Sequence, residues 1–105
     1  MSSSTKFDDL DLKPELFGNL ADLGYTEMTM VQAETLPLLL ADMDVLARAK
    51  TGSGKTAAFG LGVLNKLDVS SFVVQALVLC PTRELADQVA REIRRLARAI
   101  PNIKV

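Results

Sequence analysis

Ala49-Lys50-Thr51-Gly52-Ser53-Gly54-Lys55-Thr56 stands between an apolar approach, Asp44-Val45-Leu46-Ala47, and a helical exit, Ala57-Ala58-Phe59-Gly60-Leu61-Gly62-Val63-Leu64. Gly54, Lys55 and Thr56 fit the end of a Gly, four residues, Gly-Lys-Ser/Thr spacing, with Ala49 in place of the first glycine. A polyphosphate presents several anionic oxygens, so its site needs converging backbone N–H groups, which a glycine-rich turn permits without Cβ clashes. A helix beginning near Lys55 aims its unpaired N–H groups and positive dipole end at the same point, and Lys55 adds a full charge. Thr56 then offers a hydroxyl to a phosphate-bound Mg²⁺. The alternative is a merely flexible Gly/Ser loop, but the strand, loop and helix setting is the one a phosphate loop demands.

The rest of the chain bounds what can surround such a loop. At 105 residues it makes at most one domain, able to bury roughly 60–70% of its unfolded surface. Its 49% hydrophobic content is that of a soluble globular protein, and no apolar run nears the ~18 residues of a membrane span. The start Met1-Ser2-Ser3-Ser4-Thr5-Lys6 lacks a following apolar segment, so secretion is not expected. Cys80 is the single cysteine; it makes no internal disulfide or metal cluster, fits a reducing cytoplasm, and reads as a small buried hydrophobe. The net charge of −1 hides a gradient: residues 1–44 hold nine Asp/Glu against two Lys/Arg, and residues 83–105 six Lys/Arg against three Asp/Glu. A basic end of this kind is either a solvated helix face or a polyanion-facing one.

Periodicity predicts an α/β order: helix, helix, strand, loop, helix, strand, helix, strand stub. Pro14 opens the first helix, Leu16, Phe17, Leu20 and Leu23 give its apolar spacing, and Gly24 stops it. A second helix follows Thr29, with a kink or a new start at Pro37. A third spans about Lys55 to Leu67. Val73-Val74-Gln75-Ala76-Leu77-Val78-Leu79-Cys80 reads as a strand covered on both faces, parallel to the first, and ends at Pro81. Arg83 to Ala99 is a long helix with Leu85, Val89, Ile93, Leu96 and Ile100 on one side. The expected fold is a partial parallel sheet with right-handed crossovers and flanking helices. Two full strands with a stub at Asn102-Ile103-Lys104-Val105 leave it short of neighbours, so residues 7–105 read as the N-terminal portion of a larger domain, after a disordered start over residues 1–6.

A second constellation, Gly24-Tyr25-Thr26-Glu27-Met28-Thr29-Met30-Val31-Gln32, precedes the loop. Thr29 and Gln32 have capping-box spacing, in which each side chain bonds the other's backbone N–H. The same glutamine amide, with a donor and an acceptor in one plane, can instead match the edge of adenine. Both uses stay open on the residues alone.

Phe7, seventeen residues ahead of Gly24, then Gly24-Tyr25, Thr29 and Gln32, then Ala49 to Thr56, then Pro81-Thr82-Arg83-Glu84-Leu85-Ala86, together resemble the DEAD-box ATP-dependent RNA helicases. These are that family's Q motif, motif I and motif Ia, in order, on a RecA-like domain. The wording around Gly60-Leu61-Gly62 and Gln75 to Val89 is most similar to the branch associated with ribosomal RNA and large-subunit assembly. The resemblance implies that Phe7 stacks on adenine and Gln32 reads its edge, with Tyr25 in the same motif. It implies that Ala49, Lys50, Thr51, Gly52, Ser53, Gly54, Lys55 and Thr56 hold the phosphates of ATP and its Mg²⁺, with Lys55 and Thr56 the catalytic contributors, and it accounts for alanine at position 49. Pro81, Thr82, Arg83 and Glu84 match the RNA-facing turn; an ordinary strand-to-helix turn is the other account of them. Met28 and Met30 stand where the family often has proline, which predicts a more mobile segment.

No Asp-Glu-Ala-Asp or Ser-Ala-Thr occurs, and the arginine finger of a second RecA-like domain is likewise absent. Losing such a finger removes about 10³–10⁵ in rate in related phosphoryl-transfer enzymes. This stretch is therefore expected to need the remainder of the helicase core for hydrolysis or unwinding. Two other classes share parts of the pattern: a phosphate-loop phosphotransferase, which leaves Phe7, Gln32 and Pro81 to Ala86 unexplained, and a non-catalytic module that self-associates through bare strand edges.

Overall fold

The computed structural model describes residues 6–50 and 52–105. The expected disordered start lies outside them except for Lys6, which forms an isolated antiparallel bridge with Glu27; Thr51 of the phosphate loop also lies outside. A 3-10 turn over Phe7–Asp9, missed in the sequence, carries the chain to α1, Pro14–Asp22. Proline at the first turn costs no intrahelical bond there. Gly24, at φ 83°, turns the chain out of the helix, and the Tyr25 N–H reaches back to the Leu20 carbonyl at 2.9 Å.

Helix α2, Met30–Leu40, starts on a complete capping box. The Gln32 Oε1 accepts from the Thr29 N–H at 2.9 Å, and the Thr29 Oγ1 accepts from the Gln32 N–H at 3.4 Å. Of the kink or new start expected at Pro37, the new start does not occur: the helix runs through it. Only one backbone donor is missing at a proline, and the next turn closes normally, with the Ala41 N–H donating to the Pro37 carbonyl at 3.2 Å.

Helix α3, Lys55–Lys66, is the central element, packed between α2 and α4. Its glycines permit the approach. A Cβ at Gly60 would lie 3.2 Å from Leu96 Cδ1, and one at Gly62 would lie 3.3 Å from Leu39 Cβ. Helix α4, Arg83–Leu96, ends earlier than the expected Ala99. Asn19 of α1 explains the stop: its amide donates to the carbonyls of Arg95 and Leu96, both at 2.7 Å, satisfying acceptors a longer helix would have used. The Lys13 N–H donates to Asn65 Oδ1 at 2.8 Å, and Lys13 Nζ to the Leu67 carbonyl at 2.5 Å, fixing the other end of α1 to α3.

The core these contacts enclose runs from Leu16 and Leu20 of α1 through Leu36, Leu61 and Leu64 to Val89, Ile93 and Leu96 of α4. Full burial of one such side chain is worth about 1.5–3 kcal/mol. Leu85, expected on the inner face of α4, is instead exposed at the rim of the cleft, in a run of exposed residues from 81 to 88.

The parallel ladder is corrected by the structure. Among the described residues, Asp44–Ala47 and Val73–Cys80 belong to no strand, and Lys6–Glu27 is the sole bridge. Leu46 is fully exposed, Val74 is 88% and Leu79 85% exposed. A strand acquires its hydrogen bonds and its cover from neighbouring elements, and the described residues supply these segments with no ladder bonds and little cover beyond that of Val45 and Cys80. The helical layer of an α/β domain is thus formed while its sheet is not. Among the described residues no helix is long and apolar enough to cross a membrane.

Candidate nucleotide site

The loop gathers at the head of α3. Gly54, at φ 90°, is the residue just before the helix. Its carbonyl accepts from the Ala58 N–H at 3.1 Å, the first bond of the helix, and from Gln32 Nε2, also at 3.1 Å. The N–H groups of the turn that follows therefore face out of the helix start, where an anion gains from them and from the dipole. A Cβ at Gly54 would lie 2.5 Å from Gln32 Nε2 and 3.1 Å from Thr29 Oγ1. The close approach of α2 to the loop is thus possible only with glycine there.

Gln32 takes the capping-box role expected of it and adds a bond to the loop. Its amide completes the capping box through one oxygen lone pair and tethers the phosphate loop through one N–H, and the side chain is 2% exposed. A primary amide has two N–H donors and two oxygen lone pairs, so one of each remains. The residue also lines an open cleft of about 950 Å³ together with Gly54, Lys55 and Thr56.

Lys55 directs Nζ across the loop to the Ala49 carbonyl at 2.6 Å, while the Lys50 carbonyl accepts from the Ser53 N–H at 3.2 Å. Ser53 Oγ is buried and has no hydrogen-bond partner among the described residues. An orphaned hydroxyl at this position fits a loop built to take an anionic oxygen. Gly52 is exposed at φ 83°.

Phe7 is placed differently from expectation. It is 1% exposed, with its ring edge-to-face against Tyr25 at 5.9 Å between centroids and 75° between planes. Its burial leaves no open ring face to stack on a base in this conformation; core packing has taken that face. Tyr25 lines the cleft and donates its hydroxyl to Glu92 Oε1 of α4 at 2.8 Å. Burial, followed by the bond to Glu92 and its negative charge, raises the Tyr25 phenol above its ordinary range, with Arg95 pulling the other way. The group therefore stays a donor at neutral pH.

At the other rim, Thr82 Oγ1 accepts from the Leu85 N–H at 3.1 Å and caps α4. Pro81 lines the same cleft as the loop, and Arg83 and Glu84 are exposed on the first turn. Sequence reasoning missed Asn19 and Glu92. The available signal was a polar residue beside an apolar stripe: Asn19 between Leu16 and Leu20, and Glu92 between Val89 and Ile93.

A glycine-hinged loop at a helix start, tethered to a glutamine from the preceding helix, fits part of a domain of the RecA-like class. Residues 29–105 match the family model described as DEAD/DEAH box helicase. The chain belongs to that family. It is 63% identical over 102 residues to the ATP-dependent RNA helicase DbpA of Escherichia coli K12, covering 96% of this chain and 22% of that protein. Against the ATP-dependent RNA helicase DeaD of Mycobacterium tuberculosis H37Rv it is 45% identical, covering 99% of this chain and 18% of that one. Among solved structures, a DEAD box protein from Methanococcus jannaschii superposes with a TM-score of 0.85 at 35% identity, over 90% of this chain and 26% of that one. Saccharomyces cerevisiae Dbp5 bound to RNA and ADP BeF3 gives 0.84 at 33%, over 93% and 25%. The chain thus spans about a fifth of the relatives' length.

Proposed function

We propose that this chain is the adenine-nucleotide-gripping part of an ATP-dependent RNA helicase acting in the cytoplasm on RNA, ribosomal RNA being the substrate that the wording around Gly60-Leu61-Gly62 and Gln75 to Val89 favours. The observation that carries the reading is the Gln32 Nε2 to Gly54 carbonyl bond, which makes base reader and phosphate cradle one unit. Gln32 has one donor and one acceptor beyond those its bonds use, and reading a base edge requires this buried side chain to turn towards the cleft it lines. Lys50, Thr51, Gly52, Ser53 and Gly54 supply the loop. Lys55 exchanges the Ala49 carbonyl for phosphate oxygens, a stronger, charge-assisted partner. Mg²⁺ bound with ATP would neutralise developing phosphate charge, and the Thr56 hydroxyl is the loop's own donor to it. Phe7 acts in this scheme through Tyr25 rather than through a free face of its own.

On the opposite rim, Pro81 and the Thr82 cap present Arg83 at a helix start, a combination suited to an RNA phosphate. Hydrolysis and unwinding use the remainder of the helicase core, so the 105-residue chain alone turns over no ATP. The exposed run from Val73 to Leu79 favours a second reading for the isolated chain, self-association, which light scattering tests.

Competition binding with ATP, ADP and GTP tests the main reading. Adenine nucleotides should win, and Gln32→Ala should lower that preference about tenfold or more, given the ~1–3 kcal/mol of a bidentate base contact. Equal affinity for GTP in the unmodified protein would overturn it.

A further inference from the structure

Three links converge on α4, and each comes from a different part of the nucleotide side. Asn19 of α1 holds the carbonyls of Arg95 and Leu96. Leu96 and Ile93 pack on Gly60 of α3, the helix that grows out of the phosphate loop. Tyr25, in the turn ahead of the Gln32 capping box, donates to Glu92, whose second oxygen accepts from Arg95 Nη1 at 3.0 Å. Thr82, which caps α4, and residues 83–88 at its start are exposed. A helix rises 1.5 Å per residue, so Arg83 lies roughly 13–14 Å along a stiff rod from Glu92. A small rotation where Tyr25 holds the rod must appear at its free end.

Tyr25 is poorly explained as a simple packing residue. Its ring is already held against Phe7, and its backbone already closes the Gly24 turn. The hydroxyl bond spans sixty-seven positions in sequence to a carboxylate that is itself oriented by Arg95. A bond to a charged acceptor in a part-buried setting is among the stronger and more directional ones.

Resting on the nucleotide and RNA roles proposed above, we propose that the Tyr25 hydroxyl and Glu92 carboxylate form a positioning pair that couples adenine-nucleotide binding at Gln32 to RNA binding at the start of α4. Neither residue touches the reacting phosphate. The pair fixes the angle between the turn leading into the capping box and α4, so each ligand selects the same setting of that angle. The reciprocity of linkage then makes RNA tighten nucleotide and nucleotide tighten RNA by one factor.

The test uses the full-length protein that carries this chain. A fluorescent ADP analogue is titrated with and without saturating single-stranded RNA, and the ratio of the two Kd values is the coupling factor. Tyr25→Phe and Glu92→Ala should each lower that factor roughly threefold or more, and the double variant should lower it no further, as for two ends of one contact. Glu92→Gln, whose amide oxygen still accepts, should retain most of it. A merely structural role would weaken both titrations equally and leave the ratio unchanged; that result, or additive losses in the double variant, overturns the pair. An unmodified protein that shows no adenine preference overturns the functional reading and the coupling with it. Adenine preference with unchanged coupling in the variants overturns the coupling alone.

Discussion

Helix α3 and the segment Val73–Cys80 are equally apolar to the eye, yet one is the buried centre of the molecule and the other is largely exposed along its length. The helix closes its backbone hydrogen bonds within itself and needs neighbours only for cover, which α2 and α4 provide. The extended segment needs neighbours for both its bonds and its cover. The relatives show where such neighbours could come from, since this chain superposes on only about a quarter of the solved helicase chains. Local closure, not hydrophobicity, separates the two regions.

The largest effect that could break this comparison is on stability. Leu96 is fully buried against Gly60, whereas Leu79 is exposed. Leu96→Ala should destabilise the chain by about 2–5 kcal/mol, as other buried leucine truncations do. Leu79→Ala should stay within about 0.5 kcal/mol, as surface changes do. Denaturant unfolding of the two variants measures both. A large loss at Leu79 would mean that the extended segment is covered in solution and that the contrast fails.

Gly54, the residue on which α3 begins, sharpens the comparison. Alanine there must adopt φ near 90° and place its Cβ against Gln32 Nε2. Strained backbone of this kind costs on the order of 1–3 kcal/mol, and moving Gln32 also breaks the tether to the loop. Gly54→Ala should therefore lower nucleotide affinity at least about tenfold, the equivalent of ~1.4 kcal/mol, while reducing stability less than Leu96→Ala does. Calorimetric titration and a melting curve on the same sample separate the two effects.

What could be read from the sequence divides along the same line. The starts of all four helices, the capping box at Thr29 and Gln32, and the glycine hinges of the loop follow from residues within one or two turns of each other. Local spacing carries that information directly. The burial of Phe7, the Asn19 clamp on α4, the Gln32 tether to Gly54 and the Tyr25 bond to Glu92 all join residues far apart in the chain. Periodicity contains no distance between elements, so it marked Gln32 as a cap or a reader without revealing the bond to the loop. The strands failed for the converse reason. Their apolar, branched composition was legible, but the partners that would turn composition into a ladder are not among the described residues.

The smallest effect concerns the contact that ties the capping-box turn to α4. Tyr25 is the sole tyrosine and the chain has no tryptophan, so alkaline titration near the phenolate absorbance reports on this one group. Its folded-state pKa is raised, chiefly by burial and then by Glu92. The neutral phenol is the form the fold prefers. Any stability linked to it is fully present below the ordinary tyrosine pKa, about 10, and is lost as pH rises through the higher folded value. Between neutral pH and that range the link should be insensitive to pH. Glu92→Ala should move the midpoint downward, towards but not onto that of free tyrosine, because burial, the larger cause, remains. A midpoint unchanged by Glu92→Ala would detach Tyr25 from α4 in solution. The helical region would then hold together through its apolar core, the Asn19 clamp and the Lys13 and Gln32 bonds, and the contrast with the extended segments would rest on packing rather than on any long-range polar bond to Tyr25.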